Sequence, residues 1–163
     1  MELVQKGDES AFAALFTRHK SPIYGYVLRM VRRPEIADEV FQDTFLSVHR
    51  ARMTWSRLGG SFRAWLYRIA TNAVRDRARR AARRPEILSD DWELSHREWP
   101  ADRIAIERAL AELPENLRDA FVLGAVQGLD HQELAVALSI TPDNARARLS
   151  RARQRLRELL GDG

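Results

Sequence analysis

Residues 59–84 read GGSFRAWLYRIATNAVRDRARRAARR, and their spacing decides how the rest of the chain is read. Phe62, Trp65, Leu66, Ile69, Ala70, Ala73 and Val74 recur at steps of three and four, which places one apolar stripe on an α-helix. Ser61 is placed to cap the first turn, and Gly60 lets the chain turn in ahead of it. The opposite side carries Arg63, Tyr67, Arg68, Thr71, Asn72 and Arg75. From Arg75 to Arg84 there are six arginines and one acid, Asp76. A helix with aromatics inside and a basic, amide-bearing outside suits a nucleic acid. The plainer alternative is a surface helix whose last arginines complement its dipole.

Working toward the N-terminus, Asp8–Lys20 reads as a helix with Phe12, Leu15 and Phe16 on one face. Ser21-Pro22 is expected to open a second helix, with Ile23, Tyr26, Val27, Met30 and Val31 inward, stopped by Pro34. Glu35 to about Met53 is a third, lined by Ile36, Val40, Phe41, Thr44, Phe45 and Val48. Its other side shows Asp38, Glu39, Gln42, Asp43, Arg50 and Arg52. A loop with two glycines, residues 54–61, joins it to the basic helix. Four helices with short connections make a compact helical domain over residues 1–84.

Residues 85–101 break the period. Pro85 and Pro100 bracket an acidic stretch, read as a linker whose Trp92 and Trp99 dock on something. Residues 102–163 resume as helices: Asp102–Leu113, then Pro114 to about Gln127, then His131–Leu138, then a last one from Pro142. Thr141 is a good cap for that last helix and Pro142 a good first residue. Leu149, Leu156 and Leu160, with Ala145 and Ala152, form its inner face. A short helix, a tight turn and an arginine-rich helix make a helix-turn-helix pattern, whose second helix places Asp143, Asn144, Arg146 and Ala147 toward base edges. A plain helical hairpin is the alternative. The fold class is therefore all-α, two small helical domains joined by a linker.

The charge of +4 over 163 residues hides a strong pattern. Residues 1–84 carry +9, residues 85–100 carry −4 and residues 101–163 carry −1, while Arg146–Arg157 contains six arginines and no acid. Two arginine clusters flanking an acidic stretch point to a polyanion with two contact sites. Zero cysteines exclude disulfides and thiolate metal sites and fit a reducing cytoplasm. The N-terminus has no signal-peptide pattern, and no apolar run approaches the ~20 residues that span a bilayer, so no membrane insertion is expected. The four histidines are scattered without metal-ligand spacing, and neither a phosphate-cradling loop nor a nucleophile motif is present, so no enzyme, catalytic residue, metal or cofactor is expected.

Together the two halves resemble a known family. Residues 11–51, AFAALFTRHKSPIYGYVLRMVRRPEIADEVFQDTFLSVHRA, followed by FRAWLYRIATNAVRDRARR, and the C-terminal ALAELPENLRDAFVLGAVQGLDHQELAVALSITPDNARARLSRARQRLREL look like an extracytoplasmic-function (group IV) sigma factor of bacterial RNA polymerase. The resemblance implies that the chain directs core RNA polymerase to promoters and helps to open them. It implies three partners: core polymerase, promoter DNA and an anti-sigma factor. Asp38, Glu39, Gln42, Asp43, Phe45 and Leu46 match the face that binds the polymerase clamp helices. Arg57, Ser61, Phe62, Arg63, Arg68, Asn72, Arg75, Arg79 and Arg80 match the part that melts and reads the −10 element. Asp143, Asn144, Arg146, Arg148, Arg151 and Arg153 match the −35 reader, in a domain that also docks the polymerase flap. The linker matches a segment that threads toward the polymerase active centre and RNA exit path.

The chemistry of these residues fits the implied roles. Melting needs a pocket for an extruded base and a wall to replace its stacking, which a glycine-bearing loop with Trp55 and Arg57 beside Phe62 and Trp65 can supply. Trp65 as a core residue and Trp55 as a cap on the third helix are the competing readings. Asn72 suits a base edge, and Arg75, Arg79 and Arg80 suit phosphates. The chain departs from the family pattern at His49, where Trp is common, and at Asp143–Arg148, where Gly-Thr-Val-Lys-Ser-Arg is common. The −35 preference therefore does not carry over. An ordinary repressor or activator is the main rival, but neither a ligand pocket nor a dimer seam is legible in residues 1–84. A protein-interaction adaptor is a further one, marked by the absence of salt-sensitive DNA binding.

Overall fold

A computed structural model describes residues 1–83 and 100–161, and these are helical throughout apart from turns and loops. The chain divides into two compact units, Met1–Pro85 and Glu86–Gly163. The acidic stretch 85–99 and its tryptophans lie essentially outside the described residues.

The first unit holds α1 (Glu2–Gln5), α2 (Glu9–Val31), α3 (Pro34–Ala51) and α4 (Phe62–Arg83). Asp8 caps α2 by accepting from the Ala11 N–H at 3.0 Å. The boundary expected at Ser21-Pro22 does not exist: α2 runs unbroken through Pro22, which stands exposed on its outer side. A proline here removes one intrahelical bond. Ile23, Tyr26 and Val27 just beyond it are fully buried, and their packing holds the helix together across the gap. Arg32 ends α2 in the left-handed conformation (φ 59°), and Pro34 opens α3 rather than merely stopping what precedes it.

The core of this unit is aromatic at one end and small at the other. Phe16, Phe41 and Phe45 meet edge-on or tilted, at 4.8 Å for Phe16–Phe45 and 5.1 Å for Phe41–Phe45. Toward α4, Ala37, Val40, Ala64, Leu66 and Ala70 are buried. The stripe that α4 buries is rotated from the expected one. Tyr67 and Thr71, read as outward, are buried, whereas Trp65, Ile69 and Ala73 are only partly covered. The physical reason is Tyr26: its hydroxyl lies 2.9 Å from Thr71 Oγ1, giving that hydroxyl a partner inside, and its ring packs edge-on against that of Tyr67 at 5.5 Å.

The second unit holds α5 (Ala101–Glu112), α6 (Glu115–Phe121), α7 (His131–Leu138) and α8 (Pro142–Leu160). Beyond α6 the chain makes a π-helical turn, Val122–Val126, before Gly128 (φ 73°) ends it. The turn rotates the register, so Val122 is buried and Ala125 is exposed. Gly124 faces Leu149 so closely that an added Cβ would meet Leu149 Cδ2 at 3.0 Å. Asp130 and Glu133 form a reciprocal capping box at the start of α7, and Ser139 closes it in the left-handed conformation (φ 55°). Ala109, Leu110, Leu113, Ala152 and Leu156 form a core cluster, with Leu117, Phe121 and Leu159 against it. Leu160, expected in that face, is 47% exposed and Leu159 takes its place.

Candidate nucleic-acid and protein interfaces

In the first unit the loop between α3 and α4 consists of two single 3₁₀ turns, Arg52–Thr54 and Arg57–Gly59. Gly60 then takes φ 113°, a value that disfavours any side chain, and delivers the chain to α4. Ser61 Oγ accepts from the Ala64 N–H at 3.1 Å, so the hydroxyl expected to touch DNA is also the helix cap. Phe62 is half-buried, its ring 5.9 Å from Trp65 and 5.3 Å from His19. Burial first, and then the charges of Arg18 and Arg63, lower the His19 pKa. Arg57 is exposed, but its Nε stands 3.0 Å from Glu2 Oε1. Leu58 at the tip of the second turn is fully exposed.

Along α4, Arg68, Asn72, Arg79 and Arg80 are exposed, and Arg63 and Arg75 are half-buried. Arg79 Nη1 donates to Asp76 Oδ1 at 2.9 Å. Arg80 Nη2 is 3.9 Å from Asp43 Oδ2, and Arg77 Nε is 3.5 Å from Glu39 Oε2. Two acids of the expected polymerase face thus stand against arginines of α4. Between them Asp43, Leu46, Arg50, Asn72, Asp76 and Arg80 line a shallow groove.

The expected polymerase face on α3 is mixed. Asp38 accepts a hydrogen bond from the Tyr24 hydroxyl at 2.9 Å. That bond, with some burial and the charges of Asp38 and Glu35, raises the Tyr24 pKa. Gln42 is exposed and Leu46, a large apolar residue, is 52% exposed. Phe45 belongs to the core instead, only 8% exposed between Phe16 and Phe41, so its ring is not a surface contact.

In the second unit Thr141 Oγ1 accepts from the Asn144 N–H at 3.2 Å and caps α8, as its position in sequence implied. Asp143 stands fully out, with Arg146 Nη1 reaching its carboxylate at 3.4 Å. Arg148 Nε donates to Asn144 Oδ1 at 3.2 Å, which orients the amide expected at a base edge. Arg151 and Arg153 are exposed one turn further on. Ala145, Leu149, Ala152 and Leu156 face the core, so the arginines fall on the remaining sides by the helical period alone.

Gln5, whose side-chain amide donates to Arg52 O and Trp55 O in the loop before α4, takes part in these arrangements with Glu2, Tyr24 and Arg77, and sequence reasoning passed over all four. Arg77 and Glu39 sit on different helices, and no periodicity relates them. Gln5 lies in a four-residue helix too short to leave a periodic signal. Among the described residues no three His, Asp or Glu side chains come together as metal ligands, and no helix is long and apolar enough to cross a membrane.

The arrangement is that of a two-unit helical protein with an arginine-rich helix in each unit. Residues 15–84 match the model of Sigma-70 region 2, and residues 103–156 match that of Sigma-70, region 4. Over 168 residues the chain is 36% identical to RNA polymerase sigma factor CarQ of Myxococcus xanthus, covering 99% of this chain and 96% of CarQ. It is also 36% identical over 157 residues to ECF RNA polymerase sigma factor SigM of Mycobacterium tuberculosis, covering 95% of this chain and 80% of SigM. Among solved structures, CnrH, seen in complex with the cytosolic domain of CnrY, superposes with a TM-score of 0.75 at 28% identity, over 98% of this chain and 93% of CnrH. The chain belongs to the extracytoplasmic-function sigma factors of the sigma-70 family. It is a transcription initiation factor, which brings core RNA polymerase to promoter DNA.

Proposed function

We propose that the two units divide the promoter between them. The first unit, residues 1–84, holds core polymerase through Asp38, Glu39, Gln42, Asp43 and Leu46 of α3, and reads and melts the −10 element through the Arg57–Phe62 loop and α4. The second, residues 102–163, reads the −35 element through Asn144 and Arg146, while Arg148, Arg151 and Arg153 hold phosphates.

One observation carries this reading. α4 leaves Arg68, Asn72, Arg79 and Arg80 outside, on a helix whose inner side is fully used, directly after a glycine-bearing loop with an exposed leucine. Arginines supply charge for the backbone, and the amide supplies a donor and an acceptor for a base edge. Asn72 and Asp43 line one groove, which supports a reading in which the DNA-reading and polymerase-holding surfaces adjoin.

An anti-sigma factor is the third partner of this reading, supported by the likeness to CnrH, whose solved structure is a complex with the cytosolic domain of CnrY. The factor works in the cytoplasm, beside polymerase, without catalytic chemistry of its own. The reading is tested by adding the chain to sigma-free core polymerase and mapping transcription starts on the source genome. Starts sharing a −10 and −35 pair at fixed spacing are expected. Starts identical to those of core alone would overturn it.

A further inference from the structure

The loop leading into α4 is held from outside itself. Gln5, the last residue of α1, extends its side-chain amide over the turn that follows α3. Its Nε2 donates to Arg52 O at 2.8 Å and to Trp55 O at 2.9 Å. A carboxamide nitrogen carries two hydrogens, and both are used here. A four-residue helix does not hold its shape alone. Val4, buried at 3% exposure, anchors α1, and Asp8 N–H to Leu3 O (3.0 Å) ties its end to the start of α2. At the other end of α1, Glu2 pairs with Arg57. One short segment therefore clasps the beginning of the loop and partners the arginine in its middle.

Leu58, at the tip, is fully exposed and contributes no packing that would fix the loop. The two 3₁₀ turns are single and short, a conformation with poor hydrogen-bond geometry. The position of the tip is therefore set at its base, where Gln5 bonds.

We propose that Gln5 is a positioning residue for −10 recognition. Its two hydrogen bonds set where Arg57, Leu58 and Gly59 stand when the −10 strand arrives, and so set the preference at the base the loop reads. Glu2 holds Arg57 until the −10 strand takes it over. The proposal rests on the reading of Arg57–Phe62 as a −10 contact, and its test separates the two.

The test uses the full chain with sigma-free core polymerase and a promoter library randomised in the −10 element. Gln5→Ala, Gln5→Glu and Arg57→Ala are compared with the parent for −10 preference, −35 preference and affinity for core. Glutamate keeps the shape of glutamine but sets a carboxylate oxygen, which only accepts, where the donor nitrogen faced two carbonyls, so it separates hydrogen bonding from packing. Both Gln5 variants are expected to flatten preference at one −10 position by about tenfold, the size of one to two net hydrogen bonds, with core affinity and −35 preference unchanged. A Gln5→Glu variant that selects the parental motif overturns the proposal. So does an equal fall in core affinity, −35 and −10 binding, which marks a role in folding only. If Arg57→Ala flattens the −10 preference and the Gln5 variants do not, the positioning role alone fails. If none of the three changes it, the loop reading fails as well.

Discussion

The Tyr26 hydroxyl on α2 and the Thr71 hydroxyl on α4 meet at 2.9 Å inside the first unit, and both residues are essentially inaccessible. This contact fixes the rotation of α4 about its axis. With Thr71 turned inward, Arg68, Asn72, Arg75 and Arg79 fall on the other sides of the helix. Removing one buried partner leaves the other unsatisfied, a cost that the double variant escapes. Tyr26→Phe and Thr71→Val are each expected to destabilise the unit by about 1–3 kcal/mol. The double variant should lose about 1 kcal/mol less than their sum. Urea unfolding of the four proteins measures the coupling; strictly additive losses would show that the bond does not hold α4.

The same contact explains what was legible in the sequence and what was not. That residues 62–83 form a helix follows from their period, but the period left the rotation of the helix about its axis open. Tyr67 and Thr71 look equally suited to a polar surface, and only a partner from α2, 45 positions from Thr71, places them inside. Pro22 misled for the opposite reason: a local breaker was overridden by the packing of Ile23, Tyr26 and Val27. The π-helical turn at Val122–Val126 was hidden because one extra residue per turn leaves no signature in a pattern of leucines and alanines. The caps, in contrast, were readable, because Ser61 and Thr141 act on N–H groups three residues away. The candidate residues on α8 were legible for the same local reason, whereas the clasp by Gln5 spans 47 and 50 positions.

On α3 the burial of Phe45 separates stability from polymerase binding. Phe45→Ala should cost about 3–5 kcal/mol of stability, as a large core truncation does, and affect core binding only through that loss. Asp43→Lys or Leu46→Ala should leave the unfolding transition within about 0.5 kcal/mol of the parent while weakening the complex with core polymerase. Thermal unfolding beside a core-binding titration checks both. An Asp43→Lys variant that binds core as the parent does would remove that carboxylate from the interface.

On α8 the first turn and the later arginines should behave differently. Arg146→Ala is expected to cost about 1–3 kcal/mol at a single base pair of the −35 element. Arg151→Ala or Arg153→Ala should weaken all sequences alike and lower the slope of log affinity against log salt by about 0.9. Asn144 is oriented by Arg148, so Arg148→Ala should blur the preference at the base that Asn144 reads. Selection from a randomised −35 library distinguishes these outcomes, and an unchanged motif with Arg146→Ala would reject its assignment.

His19 gives the first unit a pH dependence of known sign. Its folded pKa lies below the ordinary 6.5, mainly through burial and then through Arg18 and Arg63. The folded state therefore prefers the neutral ring. This contribution to stability is present above about pH 6.5 and is lost as pH falls toward and through the lowered value. His19→Gln should flatten that part of the stability profile, measured by urea unfolding from pH 7.5 to 5. A profile unchanged by the substitution would assign the loss to other groups.

The central claim is that α4 and the loop before it open and read the −10 element only together with core polymerase. Permanganate reactivity of −10 thymines measures this most directly. The account predicts reactive thymines with the chain and core together and none with either alone. It also predicts loss of reactivity in Arg68→Ala/Asn72→Ala while that variant still binds core at parental affinity. Reactive thymines with the chain alone, or full reactivity in the variant, would contradict it.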